Sequence, residues 1–88
     1  MLISLAGGEK HGYAMMEDIE QTGGVRLGPG TLYGAIARLE RRGLIEALPS
    51  EDRRKPYQIT AAGEAALQAR LKELSSLASV GFARLAGA

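Results

Sequence analysis

The hydrophobic residues of the chain recur at helical spacing near its N-terminus. The apolar run Leu2–Ala6 predicts a first short helix, which Gly7 and Gly8 end because two consecutive glycines make helix continuation costly. The following stretch, "HGYAMMEDIEQTGG", predicts a second helix with one apolar face and a charged face, and Gly23 is its predicted C-terminal stop. The chain therefore starts with two helices separated by a glycine turn.

A third helix is predicted over residues 31–42. It follows "VRL" at residues 25–27, which predicts a minimal strand or an extended connector, and "GPG", which is a strong turn signal. Gly43 stands where a left-handed cap residue ends a helix. Three apolar residues fall within one narrow arc of this helix, at spacings of four and three: Leu32, Ile36 and Leu39.

The periodicity then changes from helical to strand-like. The runs "LIEAL" and "YQIT" flank the charged, turn-rich segment "PSEDRRKP", which predicts a hairpin with a long polar tip. Pro56 has no amide hydrogen, so we expect it at a sheet edge or at the start of its strand. Thr60 is the predicted N-cap of the last helix, and Glu64 lies near the positive end of that helix.

The last helix is predicted over residues 61–85, a length of about 37 Å at ~1.5 Å per residue. Its apolar stripe extends past what one small subunit covers, and consists of Leu67, Leu71, Leu74, Ala78, Phe82 and Leu85. The order of elements is that of a winged helix-turn-helix domain. We therefore predict a mostly α, α+β fold with a three-helix core, a two-stranded wing and a long C-terminal helix. Residues 1–60 form its DNA-binding part and residues 61–88 its dimerisation helix.

Composition and charge narrow the class of protein. The 88 residues suggest one domain with a small core, which pairing with a second subunit would stabilise. Cysteine is absent, which excludes disulfides and thiolate metal sites, and no apolar run is long enough to cross a bilayer. We expect a cytoplasmic protein without a membrane partner. The net charge is +1, but the segment from Arg26 to Lys55 carries seven basic and four acidic residues, so its excess of positive charge is local.

The arginines of the third helix lie beside very small side chains. One flank is small at its N-terminal end and cationic toward its C-terminal end, and carries Thr31, Ala35, Arg38 and Arg42, with Gly34 and Arg41 next to it. Small side chains permit close approach to base edges in a major groove, and arginines reach guanine or phosphate oxygens. A solvated basic helix face explains the same pattern equally well.

A second basic cluster lies at the predicted wing tip. Arg53, Arg54 and Lys55 stand beside Glu51 and Asp52, where a wing reaches the phosphate backbone or the adjacent minor groove. A charged, solvated turn is the commoner explanation of such a run taken alone. Both clusters, however, fall on the two elements that this fold directs at nucleic acid.

Three stretches carry a resemblance to a known family. "HGYAMMEDIE", "GPGTLYGAIARLERRGLIE" and "RRKPYQITAAGEAAL" resemble the PadR family of bacterial transcriptional regulators over nearly the whole chain. The resemblance implies a homodimeric winged-helix repressor that binds a double-stranded DNA operator, with the third helix in the major groove and the wing on the phosphate backbone. It also implies a dimer interface made largely by the C-terminal helix, with a small-molecule effector acting near that interface.

The resemblance matches the opening of the third helix residue by residue, whereas Arg38, Arg42, Arg53, Arg54 and Lys55 fit the family's basic contacts only by placement. The hydroxyl of Thr31 and the phenol of Tyr33 become phosphate ligands, and His11, Gly12 and Tyr13 match the start of the family's second helix. Gly34 replaces a proline often found there. The DNA-binding set is Thr31, Tyr33, Gly34, Arg38, Arg42, Arg53, Arg54 and Lys55. The dimer set is Leu2, Leu5, Leu67, Leu71, Leu74, Ala78, Phe82 and Leu85.

Other functions find less support in the sequence. His11 is the single histidine and is expected to hydrogen-bond locally at a helix start, and Glu9 and Glu17 make no defined metal site with it. We expect no cofactor, no metal and no enzyme activity, because no nucleophile–base pair or phosphate loop is visible. Tyr13 and Tyr57 are predicted to pack in the core or on a strand, each with its hydroxyl at the surface. A winged-helix protein–protein module that does not bind DNA is the alternative function, which the low net charge favours.

Overall fold

The computed structural model describes residues 1–50 and 54–87. Two packed layers, a set of helices and a small antiparallel sheet, give the predicted winged helix-turn-helix fold. In chain order the elements are α1 Leu2–Ala6, β1 Lys10–His11, α2 Gly12–Gly23, α3 Pro29–Arg41, β2 Ile45–Ala47, β3 Pro56–Ile59 and α4 Ala61–Gly87.

The sheet has one strand more than the predicted wing. The strand order is β1-β3-β2, and β1 pairs antiparallel with β3 through Lys10 opposite Tyr57 and His11 opposite Pro56. β2 pairs with the other side of β3, with Ile45 opposite Ile59. Residues 25–27 form the connector rather than the strand. The sequence does not reveal β1 because two residues are too few for a periodicity.

The helix ends follow from local chemistry. Nδ1 of His11 accepts a hydrogen bond from the backbone N–H of Ala14 at 3.3 Å, so the histidine is the N-cap of α2, as predicted. α2 ends at Gly23, the predicted stop, and the left-handed cap residue that follows it is Gly24, with φ 67°. α3 begins at Pro29, two residues before the predicted start, because proline at a first helical position loses no hydrogen bond. Gly43 has φ 73° and is the predicted left-handed residue after α3.

The core lies where α1, α2, α3 and the sheet meet. Its buried apolar side chains are Leu5, Met15, Leu32, Ile36, Ile45 and Tyr57. The prediction that Tyr57 packs is confirmed, whereas the same prediction for Tyr13 is wrong, because its side chain is 61% exposed at the start of α2. Pro56 is the first residue of β3, as expected, although β3 is the central strand.

The first turn of α4 joins the long helix to this core. Oγ1 of Thr60 accepts a hydrogen bond from the N–H of Gly63 at 3.0 Å and donates one to the carbonyl of Gly43 at 2.7 Å. Gly63 is buried, and a Cβ at that position would overlap the carbonyl oxygen of Leu44. Beyond Leu67, which is half-buried, every residue of α4 to Gly87 is exposed. The distal part of α4 therefore projects from the rest of the chain.

Candidate nucleic-acid interface

Burial of one face of α3 determines which face is left to solvent. Leu32 and Ile36 are buried in the core. Because the helix advances about 100° per residue, the flank with Thr31 and Arg38 lies away from them. The exposed residues of this flank are Thr31, Gly34, Arg38 and Arg42, with Arg41 beside them. Apart from the backbone of α3 itself, no atom of the described residues lies within 4 Å of where a Cβ of Gly34 would be, so this part of α3 is open to a partner.

The arginines of α3 have no partner within the described part of the chain. The ion pair found there joins Arg70 to Glu73 on α4, with 3.1 Å between Nη1 and Oε2. Neither that pair nor any side-chain hydrogen bond among these residues involves Arg38, Arg41 or Arg42. Their guanidinium groups can therefore bind an external anion without first breaking an internal bond.

The wing places two further cations near α3. Arg54 and Lys55 come directly before β3 and are exposed. The predicted contact Arg53 lies outside the described residues. Because Pro56 opens β3 and pairs with His11, the two wing cations are held next to the start of α2.

A cleft of about 420 Å³ lies where the wing, α2 and α3 meet, and we call it the wing cleft. Tyr33 of α3 forms one wall. The other lining residues are His11, Gly12, Tyr13, Arg54, Lys55 and Tyr57. The structure therefore brings three of the predicted DNA contacts, Tyr33, Arg54 and Lys55, to one opening, while Thr31, Gly34, Arg38 and Arg42 follow α3 outside its lining.

Gly12 shapes the wing cleft. A Cβ at this position would lie 2.6 Å from the phenol oxygen of Tyr33 and 2.9 Å from its Cζ. The absent side chain therefore lets the Tyr33 ring lie across the start of α2. Sequence reasoning missed this contact and the place of Tyr13 and Tyr57 in the cleft. The motifs "HGY" and "TLY" each contain an aromatic residue, but nothing in their spacing shows that they meet.

Burial changes the acidity of Tyr57. Desolvation raises the pKa of its phenol, and the negative charge of Glu40 and the nearby Tyr33 raise it further. The phenol therefore stays protonated at neutral pH and can donate a hydrogen bond. Among the described residues no group of three or more histidine, cysteine or acidic side chains is placed to hold a metal ion, and Nδ1 of His11 is already used as a helix cap.

The predicted dimer residues divide into two groups. Leu5 is 2% exposed in the protomer's own core, so it leaves almost no side-chain surface for a second subunit. Leu2 and Leu67 are half-buried, and Ala78 is exposed. The remaining residues of the set are exposed along α4: Leu71, Leu74, Phe82 and Leu85. Leu77 and Val80, which the predicted stripe omitted, are exposed as well and widen the apolar face of α4.

No helix among the described residues is long and apolar enough to cross a membrane.

A protein-family model, a related sequence and a solved structure all point to the same family. The model of the "Transcriptional regulator PadR-like family" matches residues 1–69. The transcriptional regulator Rv3488 of Mycobacterium tuberculosis is 39% identical over 79 residues, which are 83% of this chain and 70% of that protein. A crystal structure of a PadR family transcription regulator from Clostridium difficile superposes with a TM-score of 0.80 at 27% identity, covering 90% of this chain and 88% of that one.

A further relative is much longer. An uncharacterized 37.1 kDa protein in a transposon of Streptomyces fradiae is 44% identical over 77 residues, which are 88% of this chain. The chain spans 22% of the length of that relative. The shared part is therefore a module that also occurs within a larger protein.

Proposed function

Because the chain belongs to the PadR-like family of transcriptional regulators, we propose that it is a sequence-specific repressor that binds a double-stranded DNA operator as a homodimer. In this proposal α3 enters the major groove and the wing contacts the phosphate backbone. The observation that carries it is the convergence of α3 and the wing cations on the wing cleft, beside arginines that have no internal partner within the described residues.

The chemistry of α3 fits entry into a major groove. Thr31 and Gly34 present little bulk, so the backbone of the first turns can approach base edges closely. Arg38 follows one turn after Gly34, where a guanidinium group can donate two hydrogen bonds to a guanine. Arg42 lies a further turn along and is placed to pair with a phosphate.

The chemistry of the wing fits the phosphate backbone. A sugar-phosphate backbone separates the major groove from the adjacent minor groove. When a helix lies in the major groove and a wing lies on the minor groove, this backbone passes between them. Arg54 and Lys55 are exposed there and carry the charge that such a strand requires. These contacts set the position of the protein on the duplex, whereas those of α3 supply the sequence preference.

The exposed stripe of α4 supports the homodimer. A contiguous apolar face is rarely left in water by a soluble monomer, and a second copy offers an identical face. The dimer surface that we propose contains Leu2, Leu67, Leu71, Leu74, Ala78, Phe82 and Leu85. A twofold axis through α4 would present two copies of α3 to half-sites about 34 Å apart.

An effector would act through this geometry. A small molecule that binds near the dimer interface and changes the angle between subunits changes the spacing of the two α3 helices, and so lowers operator affinity. Such a compound is expected to release DNA while the mass of the dimer stays the same.

A double charge reversal tests the DNA-binding surface. Arg38→Glu together with Arg42→Glu is expected to abolish operator binding in a fluorescence anisotropy titration and to leave thermal melting unchanged, because both side chains are exposed. Lys72→Glu with Arg84→Glu changes the net charge equally and is the matched control; because both residues lie on α4, sedimentation first checks that this variant has the same mass as the wild type. Loss of binding in both variants, or in neither, would reject the assigned surface.

The protein–protein module is the second candidate function. The net charge of +1 favours it, because non-specific attraction to a polyanion is then weak. The discriminating experiment is the titration of a random DNA duplex at low ionic strength. A module without DNA-binding function shows no association there.

A further inference from the structure

We propose that the wing cleft holds one phosphate of the DNA backbone and that the phenol of Tyr57 donates the innermost hydrogen bond to it. The inference rests on the proposed function and adds to it a positioning residue that neither the basic clusters nor the family resemblance assigns. Its basis is a phenol that has no hydrogen-bond partner among the described residues and that lines the same cleft as two cationic side chains.

Tyr57 is the least exposed residue of the cleft lining that bears a polar side chain. It is 8% exposed and lies on β3, the central strand of the sheet. Its backbone pairs with Lys10 on one side and Ala47 on the other, yet its phenol has no hydrogen-bond partner among the described residues. Among the described residues, Ser4 Oγ is the one buried side-chain oxygen or nitrogen without a partner. The phenol oxygen of Tyr57 is therefore open to solvent, although most of its ring is buried, and it is free to donate to a partner from outside the chain.

The surroundings of Tyr57 select an anion as that partner. Arg54 and Lys55 line the cleft, and the start of α2 presents the positive end of its dipole to it. The carboxylate of Glu40 acts on the Tyr57 phenol as well, and this keeps the phenol protonated as a donor. A phosphate oxygen accepts hydrogen bonds and gains from both cations, whereas a cationic or apolar ligand gains from neither.

The open shape of the cleft favours a segment of a polymer over a small molecule that is fully enclosed. Its walls are the Tyr33 ring, which crosses Gly12, and the wing residues, and the cavity of about 420 Å³ opens between them. A phosphodiester with its adjoining sugars enters such an opening from the side. With α3 in the major groove and the wing on the next minor groove, the backbone between the grooves passes over this opening.

Tyr57→Phe tests the assignment without removing the ring from the core. We expect about a tenfold loss of operator affinity, since a hydrogen bond to a charged group is lost. Thermal melting is expected to change little. Gln58→Leu is the matched control: it removes one hydrogen bond from the next residue of β3, whose side chain pairs with Glu46 and does not line the cleft, and operator affinity should stay the same.

Neutral phosphate substitutions identify the phosphate. A scan of single methylphosphonates along the operator should find one position at which wild type and Tyr57→Phe bind equally, because the hydrogen bond is then absent in both. Wild-type binding with full affinity retained in Tyr57→Phe would overturn the inference and leave the proposed function intact. Failure of the wild-type protein to bind any duplex would overturn both.

A free phosphate ion offers the same oxygen atoms as the DNA backbone, so a further experiment distinguishes these two ligands. Inorganic phosphate is titrated into the protein while the amide resonances of Gly12 and Tyr57 are followed. The assignment to DNA predicts no saturable shift at millimolar phosphate, because one isolated ion lacks the backbone contacts of α3. Saturable shifts together with an operator affinity that no methylphosphonate changes would assign the cleft to a free phosphate ligand and overturn the assignment.

Discussion

The helices α3 and α4 carry the same kind of apolar pattern and meet different surroundings. Leu32 and Ile36 of α3 are 0% and 2% exposed. Leu74 and Leu85 of α4, which also share one helix face, are 45% and 76% exposed. An apolar stripe therefore shows that a helix face is to be covered, but not whether the covering comes from the same chain.

Length and attachment explain the difference. α3 has 13 residues and packs against α2 and β2. α4 has 27 residues, about 40 Å at ~1.5 Å per residue, and touches α1 and β3 near its first turns. Every described residue of α4 beyond Leu67 is exposed, so we expect the distal part of this helix to be stabilised by a second subunit.

Truncation of a core residue of α3 should have the largest effect. Leu32→Ala is expected to cost about 2–5 kcal/mol of the free energy of unfolding, because it leaves a cavity among fully buried side chains. Chemical denaturation at several protein concentrations measures the loss. A loss of less than about 1 kcal/mol in the free energy of unfolding would contradict the described core.

The second largest effect is expected where α4 approaches the core closely, at Gly63. Gly63→Ala places a methyl group on the Leu44 carbonyl and is expected to destabilise the protein by about 1–3 kcal/mol. Gly34→Ala is the control for thermal melting, because its Cβ would meet no described atom within 4 Å outside the backbone of its own helix, and alanine is the better helix former. An equal response of the two variants would show that α4 is not fixed at Gly63.

Truncation on α4 should act on association rather than on protomer folding. Leu74→Ala is expected to raise the dissociation constant of the dimer about tenfold, or ~1.4 kcal/mol, in analytical ultracentrifugation. The fraction of dimer should therefore depend on protein concentration, whereas the packing of the protomer core should not. A wild-type protein that sediments as a monomer at every concentration would remove the basis of the comparison.

The exposed ion pair of α4 should have the smallest effect. The side chains of Arg70 and Glu73 are both 68% exposed. Because exposed ion pairs contribute little, Arg70→Ala is expected to change the free energy of unfolding by less than about 0.5 kcal/mol. Differential scanning calorimetry at low and high salt checks this. A larger loss would indicate that the pair lies in an interface.

The sequence predicts the elements better than the site because elements depend on local spacing. The helix stop at Gly43, the cap at Thr60 and the buried arc of α3 are each visible within a few residues. The wing cleft is not, because Gly12, Tyr33 and Tyr57 come from three separate elements. Strand β1 escapes for the same reason: its two residues are identified as a strand by their pairing with β3.

The salt dependence of binding to a random duplex tests the central claim that α3 and the wing bind DNA phosphates. If about five phosphates are neutralised per subunit, the logarithm of the binding constant should fall with the logarithm of salt concentration with a slope of about −4 to −5 per subunit. A slope near zero, or no association even at low ionic strength, would contradict the account.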